Sequence, residues 1–138
     1  MDSFDADVLV YAAVHGHPLG RRVLRIFREA PGDFAGAGSV LLLPEVLSKP
    51  LRDSQPDEVR PLAALLARLD LRPVDETTAE IATVLGAKYG MRAVDATHLA
   101  TAVSLGAGRF ITNNKRDFPR SIDEVQVTYP EDLPDAAR

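Results

Sequence analysis

The sequence predicts an α/β fold with a mostly parallel sheet and helices on both faces. Three observations carry that prediction. Short apolar runs suited to buried strands alternate with longer runs of helical period. Pro31–Gly32, Gly90 and Gly106 stop three of the helical runs. No repeat, low-complexity tract or linker divides the 138 residues, so one domain spanning 1–138 is expected.

Ser3–Asp5 reads as the end of a very short buried strand, and Asp7–Val14 as an apolar helix with Asp7 at its N-cap. The loop His15–Pro18 leads to a helix from about Leu19 to Ala30. Its Val23, Leu24 and Phe27 form one face, and Arg21, Arg25 and Arg28 form a basic stripe on the other. Phe34–Leu43, ending in VLLL, reads as a buried strand, and Pro44 suits the first turn of a helix carrying Glu45. Lys49–Gln55 reads as a polar loop, Pro56–Leu69 as a helix and Leu71–Val74 as a strand. Helices over Asp75–Tyr89 and Arg92–Leu105 follow, then the strand Arg109–Thr112, the turn Asn113–Arg116 and the strand Val125–Tyr129. The Pro/Asp-rich tail, about 130–138, is expected to be loose.

Composition excludes several chemistries. With no cysteine, disulfides, thiolate nucleophiles and Cys-based zinc sites are absent. No apolar run approaches the ~20 residues of a membrane span, and the acidic N-terminus lacks a signal peptide's basic segment. A soluble, cytoplasmic protein is expected. The net charge of −4 gives no global pull towards nucleic acid, so the positions of the carboxylates matter more than their sum.

Ligands of open α/β sheets bind at the C-terminal strand ends. Asp5 ends the first strand, Glu45 follows the second, and Thr112, Asn113, Asn114 and Asp117 follow the RFIT strand. Asp95 lies in the first turn of the helix before that strand. Clustered carboxylates repel one another unless a cation or a proton is shared, and oxygen ligands select magnesium or manganese. Such a site supports metal-assisted phosphodiester hydrolysis. The simpler reading of Asp95, and of Glu45 after Pro44, is an acid favoured by the helix dipole.

DADVLVYA at Asp5–Ala12, PEVLSKPLR at Pro44–Arg52, DATHLATAVSLGAGRFITNN at Asp95–Asn114 and DFP at Asp117–Pro119 together resemble the motifs of PIN-domain nucleases, in order and over nearly the whole chain. The third stretch is the most specific. The resemblance implies a three-layer α/β/α sandwich and a magnesium or manganese site with Asp5, Glu45 and Asp95 as its acid triad. It also implies a metal-dependent endoribonuclease of the VapC toxin type, usually homodimeric and silenced by a cognate antitoxin. Many members carry a fourth acid where this chain has Asn114. Asp117 lies three residues on, in reach to take part, and one well-held metal is expected rather than two.

His98 follows Asp95 on the same helical face, as a water-bridging or a packing residue. Thr112 could orient a phosphate or cap a turn, and Asn114 can bond a metal-bound water. Lys115 and Arg116 are candidates for RNA phosphate contacts, with a surface turn as the alternative. The Arg21, Arg25 and Arg28 stripe reads as a phosphate surface or a solvated face, and His15 and His17 as a loop. Two rival functions remain. Asp5-x-Asp7 also fits the opening of haloacid-dehalogenase-type phosphatases, a nucleophile and its acid, though no later Lys and acidic pair follow. The other rival is a non-catalytic RNA- or protein-binding module of the same fold.

Overall fold

The computed structural model describes residues 1–135. Five strands form one all-parallel sheet in the order β3-β2-β1-β4-β5. They are β1 (Asp2–Phe4), β2 (Gly36–Ser39), β3 (Leu69–Arg72), β4 (Arg109–Ile111) and β5 (Gln126–Thr128). The helices are α1 (Ala6–Ala13), α2 (Pro18–Glu29), α3 (Leu42–Arg52), α4 (Pro56–Leu66), α5 (Glu76–Tyr89) and α6 (Ala93–Leu105).

Strand alternation divides the interior into two cores. Phe4 and Ile111 pack with Leu9, Phe27, Leu42 and Leu66 from α1–α4. Phe110 and Val127 pack with Leu85 of α5, Leu99 of α6 and Phe118. The result is the expected three-layer α/β/α sandwich, with α1–α4 on one face and α5–α6 on the other.

The largest departure from the sequence reading is β2. The strand is GAGS, and VLLL is the turn into α3, whose first residue is Leu42. Hydrophobicity does not mark this strand because two of its four positions are glycines with close neighbours. A Cβ on Gly36 would lie 2.6 Å from both Asp2 O and the Phe4 ring, and one on Gly38 would lie 2.5 Å from Leu42 Cδ1. Buried Ser39 accepts the Leu41 N–H at 3.1 Å and turns the chain into α3. That helix continues to Arg52, through half of the expected Lys49–Gln55 loop, with Pro50 buried inside it.

Helix α4 stops three residues earlier than its apolar spacing predicts, because Leu69 is already paired with Gly36 in the sheet. Between them Arg68 donates to Phe27 O at 3.2 Å and Asp33 O at 3.0 Å, tying the α2–β2 connection to the start of β3. Helices α5 and α6 end as predicted, with Gly90 at φ 67° and Gly106 at φ 64°.

The expectation of a loose tail is corrected over residues 130–135; residues 136–138 lie outside those described. Pro130–Asp132 forms a 3-10 turn, and Leu133 is 3% exposed in the α1–α4 core. Arg22 donates to Leu133 O at 2.8 Å, and Arg120 holds both Asp132 oxygens at 2.7 and 2.8 Å. Polar composition hid the buried Pro130 and Leu133. Leu133→Ala is expected to destabilise the fold by about 2–5 kcal/mol in urea unfolding; a change within about 0.5 kcal/mol is what a free tail would give.

Candidate metal centre at the strand ends

The β1–β4 ladder sets the site. Phe4 pairs with Ile111, and the Asp5 N–H donates to Ile111 O at 2.9 Å. The next residues, Asp5 and Thr112, therefore leave the sheet side by side. The Thr112 hydroxyl donates to Asp5 Oδ2 at 2.8 Å, and the Ala6 N–H donates to Asp5 Oδ1 at 2.8 Å. Thr112 is fully buried and Asp5 nearly so.

Asp5 is thus the N-cap of α1, the role the sequence reading gave to Asp7. Strand and helix meet with no linker, so the residue ending one begins the other. Asp7 lies in the first turn of α1, and its carboxylate accepts the Asn113 N–H at 3.3 and 3.1 Å.

Glu45 enters from the first turn of α3. Its Oε1 lies 2.5 Å from His98 Nε2 on α6, whose side chain is completely buried. One donor atom each from Asp5, Glu45 and His98 lie within 4.8 Å of one another. Asp95 joins from the start of α6 and shares an open groove of about 490 Å³ with Glu45 and Arg92. Its Oδ2 is buried without a hydrogen-bond partner, and the Arg92 guanidinium stands 3.8 Å away on the exposed side.

The electrostatics follow from this crowding. Burial pushes the Asp5 carboxyl above its ordinary value, and Glu45 adds to the push, while His98 and the Thr112 and Ala6 hydrogen bonds oppose it. Burial, then the Asp5 charge, raise Asp7 to about 7. Burial and then Asp117 raise Asp95 against the pull of Arg92. Burial lowers His98, but the bond from Glu45 and the charges of Asp5, Glu45 and Asp95 outweigh it and the net shift is upward.

These donors fit a divalent cation: carboxylates held near one another against their repulsion, one with an orphaned buried oxygen. His98 adds a nitrogen to this cluster that the oxygen-only expectation did not include, with its Nε2 engaged by Glu45.

The other sequence-singled residues divide clearly. Asn114 and Asp117 bond each other reciprocally, Asn114 Nδ2 to Asp117 Oδ2 at 2.9 Å and the Asp117 N–H to Asn114 Oδ1 at 3.2 Å. Asp117 thereby turns back far enough for its charge to act on Asp95. Lys115 is tied to Glu131 and lies over the Tyr129 ring, while Arg116 is exposed. Arg25 pairs with Glu29, and Arg21 and Arg22 with Asp135, so much of the basic stripe is engaged by the protein itself. His17 Nδ1 accepts the Gly20 N–H at 3.1 Å, capping α2. Arg92 beside Asp95 was passed over in the sequence; its position three residues before the helix's first carboxylate was the available signal.

Comparison with known proteins agrees with this architecture. The chain is similar to a chain of a toxin-antitoxin complex from Klebsiella pneumoniae, with 25% identity and a TM-score of 0.71 over 94% of this chain and 98% of that one. It is also similar to a chain of VapBC2 from Rickettsia felis, crystallised with a DNA fragment from their promoter. There the identity is 16% and the TM-score 0.72, over 93% and 97% of the two chains. No curated protein matches the chain significantly. The PIN domain model matches residues 4–123, a span holding Asp5, Glu45, Asp95, Thr112 and Asp117, and the chain belongs to the PIN domain family.

Proposed function

We propose that the chain is a magnesium- or manganese-dependent endoribonuclease, the VapC-type toxin of a toxin–antitoxin pair. The observation that supports this reading is that Glu45, from the start of α3, lies close to Asp5 and His98 and shares a groove with Asp95, beside the C-terminal edge of a parallel sheet. Glu45 links the two halves of the site, close to Asp5 on one side and sharing the groove with Asp95 on the other.

Asp5, Glu45 and Asp95 would hold the cation, with Asp117 in the fourth acid's place, Asn114 orienting it and His98 beside Glu45. When bound, the cation supplies Lewis-acid activation of a phosphodiester and of water. The protein's own groups do the rest. Thr112 and the Ala6 N–H fix the Asp5 carboxylate in one orientation. His98, held towards its charged form by Glu45, Asp5 and Asp95, sets positive charge beside the acids. Arg92, on the groove rim, and Lys115 with Arg116, in the turn after β4, are placed to meet RNA phosphates. Lys115 must give up Glu131 to do so.

An antitoxin partner is supported by the kind of complexes the chain resembles in fold, and we read the active form as a cytoplasmic homodimer by the same family likeness. No helix among the described residues is long and apolar enough to cross a membrane. The phosphatase reading loses ground because Asp7, its required acid, is turned to Asn113. A binding-only module has no evident need of clustered acids that repel one another.

Cleavage of structured RNA is expected with magnesium or manganese and not with chelator present. Asp5→Asn, which can still cap α1, is expected to lower the rate by about 10²-fold or more without loss of stability, and Asp95→Asn likewise. Wild-type activity in Asp5→Asn would remove the proposed role.

A pH dependence also follows. The folded chain keeps the Asp7 proton up to about pH 7, whereas the ordinary value is 3.8. The folded state therefore binds more protons than the unfolded state between these values. The associated stability is full below the lower value and is lost as pH rises through about 7. His98, also raised, acts with the same sign. The urea midpoint of the metal-free protein is expected to fall between about pH 5 and 7.5 and to recover with manganese, which binds the folded state. A midpoint rising steadily over that range would contradict this placement of the charges.

A further inference from the structure

Asp7 has no role in the proposed chemistry, yet it is a half-buried carboxylate set beside another carboxylate. An acid in a helix's first turn ordinarily serves its own helix. Asp7 also reaches across to a different segment. Beyond Thr112, whose N–H donates to Thr128 O at 3.1 Å, the chain leaves the sheet. The next N–H, that of Asn113, meets both Asp7 oxygens. The following N–H, that of Asn114, donates to Thr112 Oγ1 at 3.1 Å. With that lone pair occupied, the Thr112 proton is directed onto Asp5 Oδ2. Five residues are thus linked, from Asp7 through the Asn113–Asn114 turn and Thr112 to Asp5.

We propose that Asp7 is a positioning residue: by accepting the Asn113 N–H it pins the turn after β4, keeps the Thr112 hydroxyl on Asp5, and so fixes the direction in which Asp5 faces the cation site. The inference rests on the metal-centre reading and assigns Asp7 a place outside the ligand set, since its oxygens point at Asn113 and the close donor cluster is Asp5, Glu45 and His98. A charged acceptor makes the stronger hydrogen bond to an amide, but an uncharged one of the same shape can also accept it.

The test compares Asp7→Ala with Asp7→Asn. Manganese affinity by calorimetry is expected to fall by about 10–100-fold in Asp7→Ala, the usual cost of losing a group that orients a ligand, and to return to within about threefold of wild type in Asp7→Asn. Amide exchange at Asn113 in the metal-free protein is expected to speed up in Asp7→Ala and not in Asp7→Asn. Should Asp7→Ala not fold, Thr112→Val breaks the same chain one link later and is expected to lose manganese affinity similarly, with recovery in Thr112→Ser. Unchanged manganese affinity in Asp7→Ala or Thr112→Val would overturn the proposal. So would equal losses in Asp7→Ala and Asp7→Asn, which would make the carboxylate itself a ligand. If the wild type binds manganese but cleaves no RNA, the nuclease reading fails while these comparisons stand. If it binds no manganese, the Asn113 exchange rates alone decide whether Asp7 pins the turn.

Discussion

The buried carboxylate of Asp5 is the constraint on which the site depends. A carboxylate taken out of water is costly unless charge or hydrogen bonds compensate it. Here the compensation comes from both sides of the strand end, the Ala6 N–H at the start of α1 and the Thr112 hydroxyl at the end of β4. The first comes from Asp5's own place as the cap of α1, and the second is in reach because β1 and β4 are adjacent and parallel and finish in register. The central pair of strands is therefore the device that holds this charge.

Around Asp5 the other charges are arranged in partly compensated pairs. Glu45 faces His98, Asp95 faces Arg92, Asp117 is bonded by Asn114, and Asp7 by the Asn113 amide. His98 offsets part of the Asp5 charge, and Asp95 keeps a buried oxygen that Arg92 approaches at 3.8 Å but no group hydrogen-bonds. Asn114 is uncharged, and its side chain bonds Asp117. On the proposed reading a single cation is expected rather than two, because each further ion needs further negative ligands.

Much of this was legible in the sequence, for identifiable reasons. The order of strands and helices follows from hydrophobic period and from Gly90 and Gly106, whose left-handed caps only glycine adopts without strain. Asp5, Glu45 and Asp95 stood out because acids follow apolar strands or open helices. What escaped was governed by tertiary packing. The GAGS strand lacks an apolar run because neighbours crowd its positions 36 and 38. Leu133 anchors a segment whose composition reads as loose. The exchange of roles between Asp5 and Asp7 turns on a one-residue difference in where β1 ends, which pattern alone does not resolve. His98 sits on the predicted face, but only the packing of α6 against the sheet brings it into contact with Glu45.

The most direct measurement is the anomalous diffraction of manganese from crystals soaked in the metal. One peak is expected, bounded by Asp5, Glu45 and Asp95, with Thr112 still bonded to Asp5 and Asp7 still bonded to Asn113. A peak away from Asp5, or none at saturating manganese, would contradict the claim that the strand-end carboxylates are gathered around a cation.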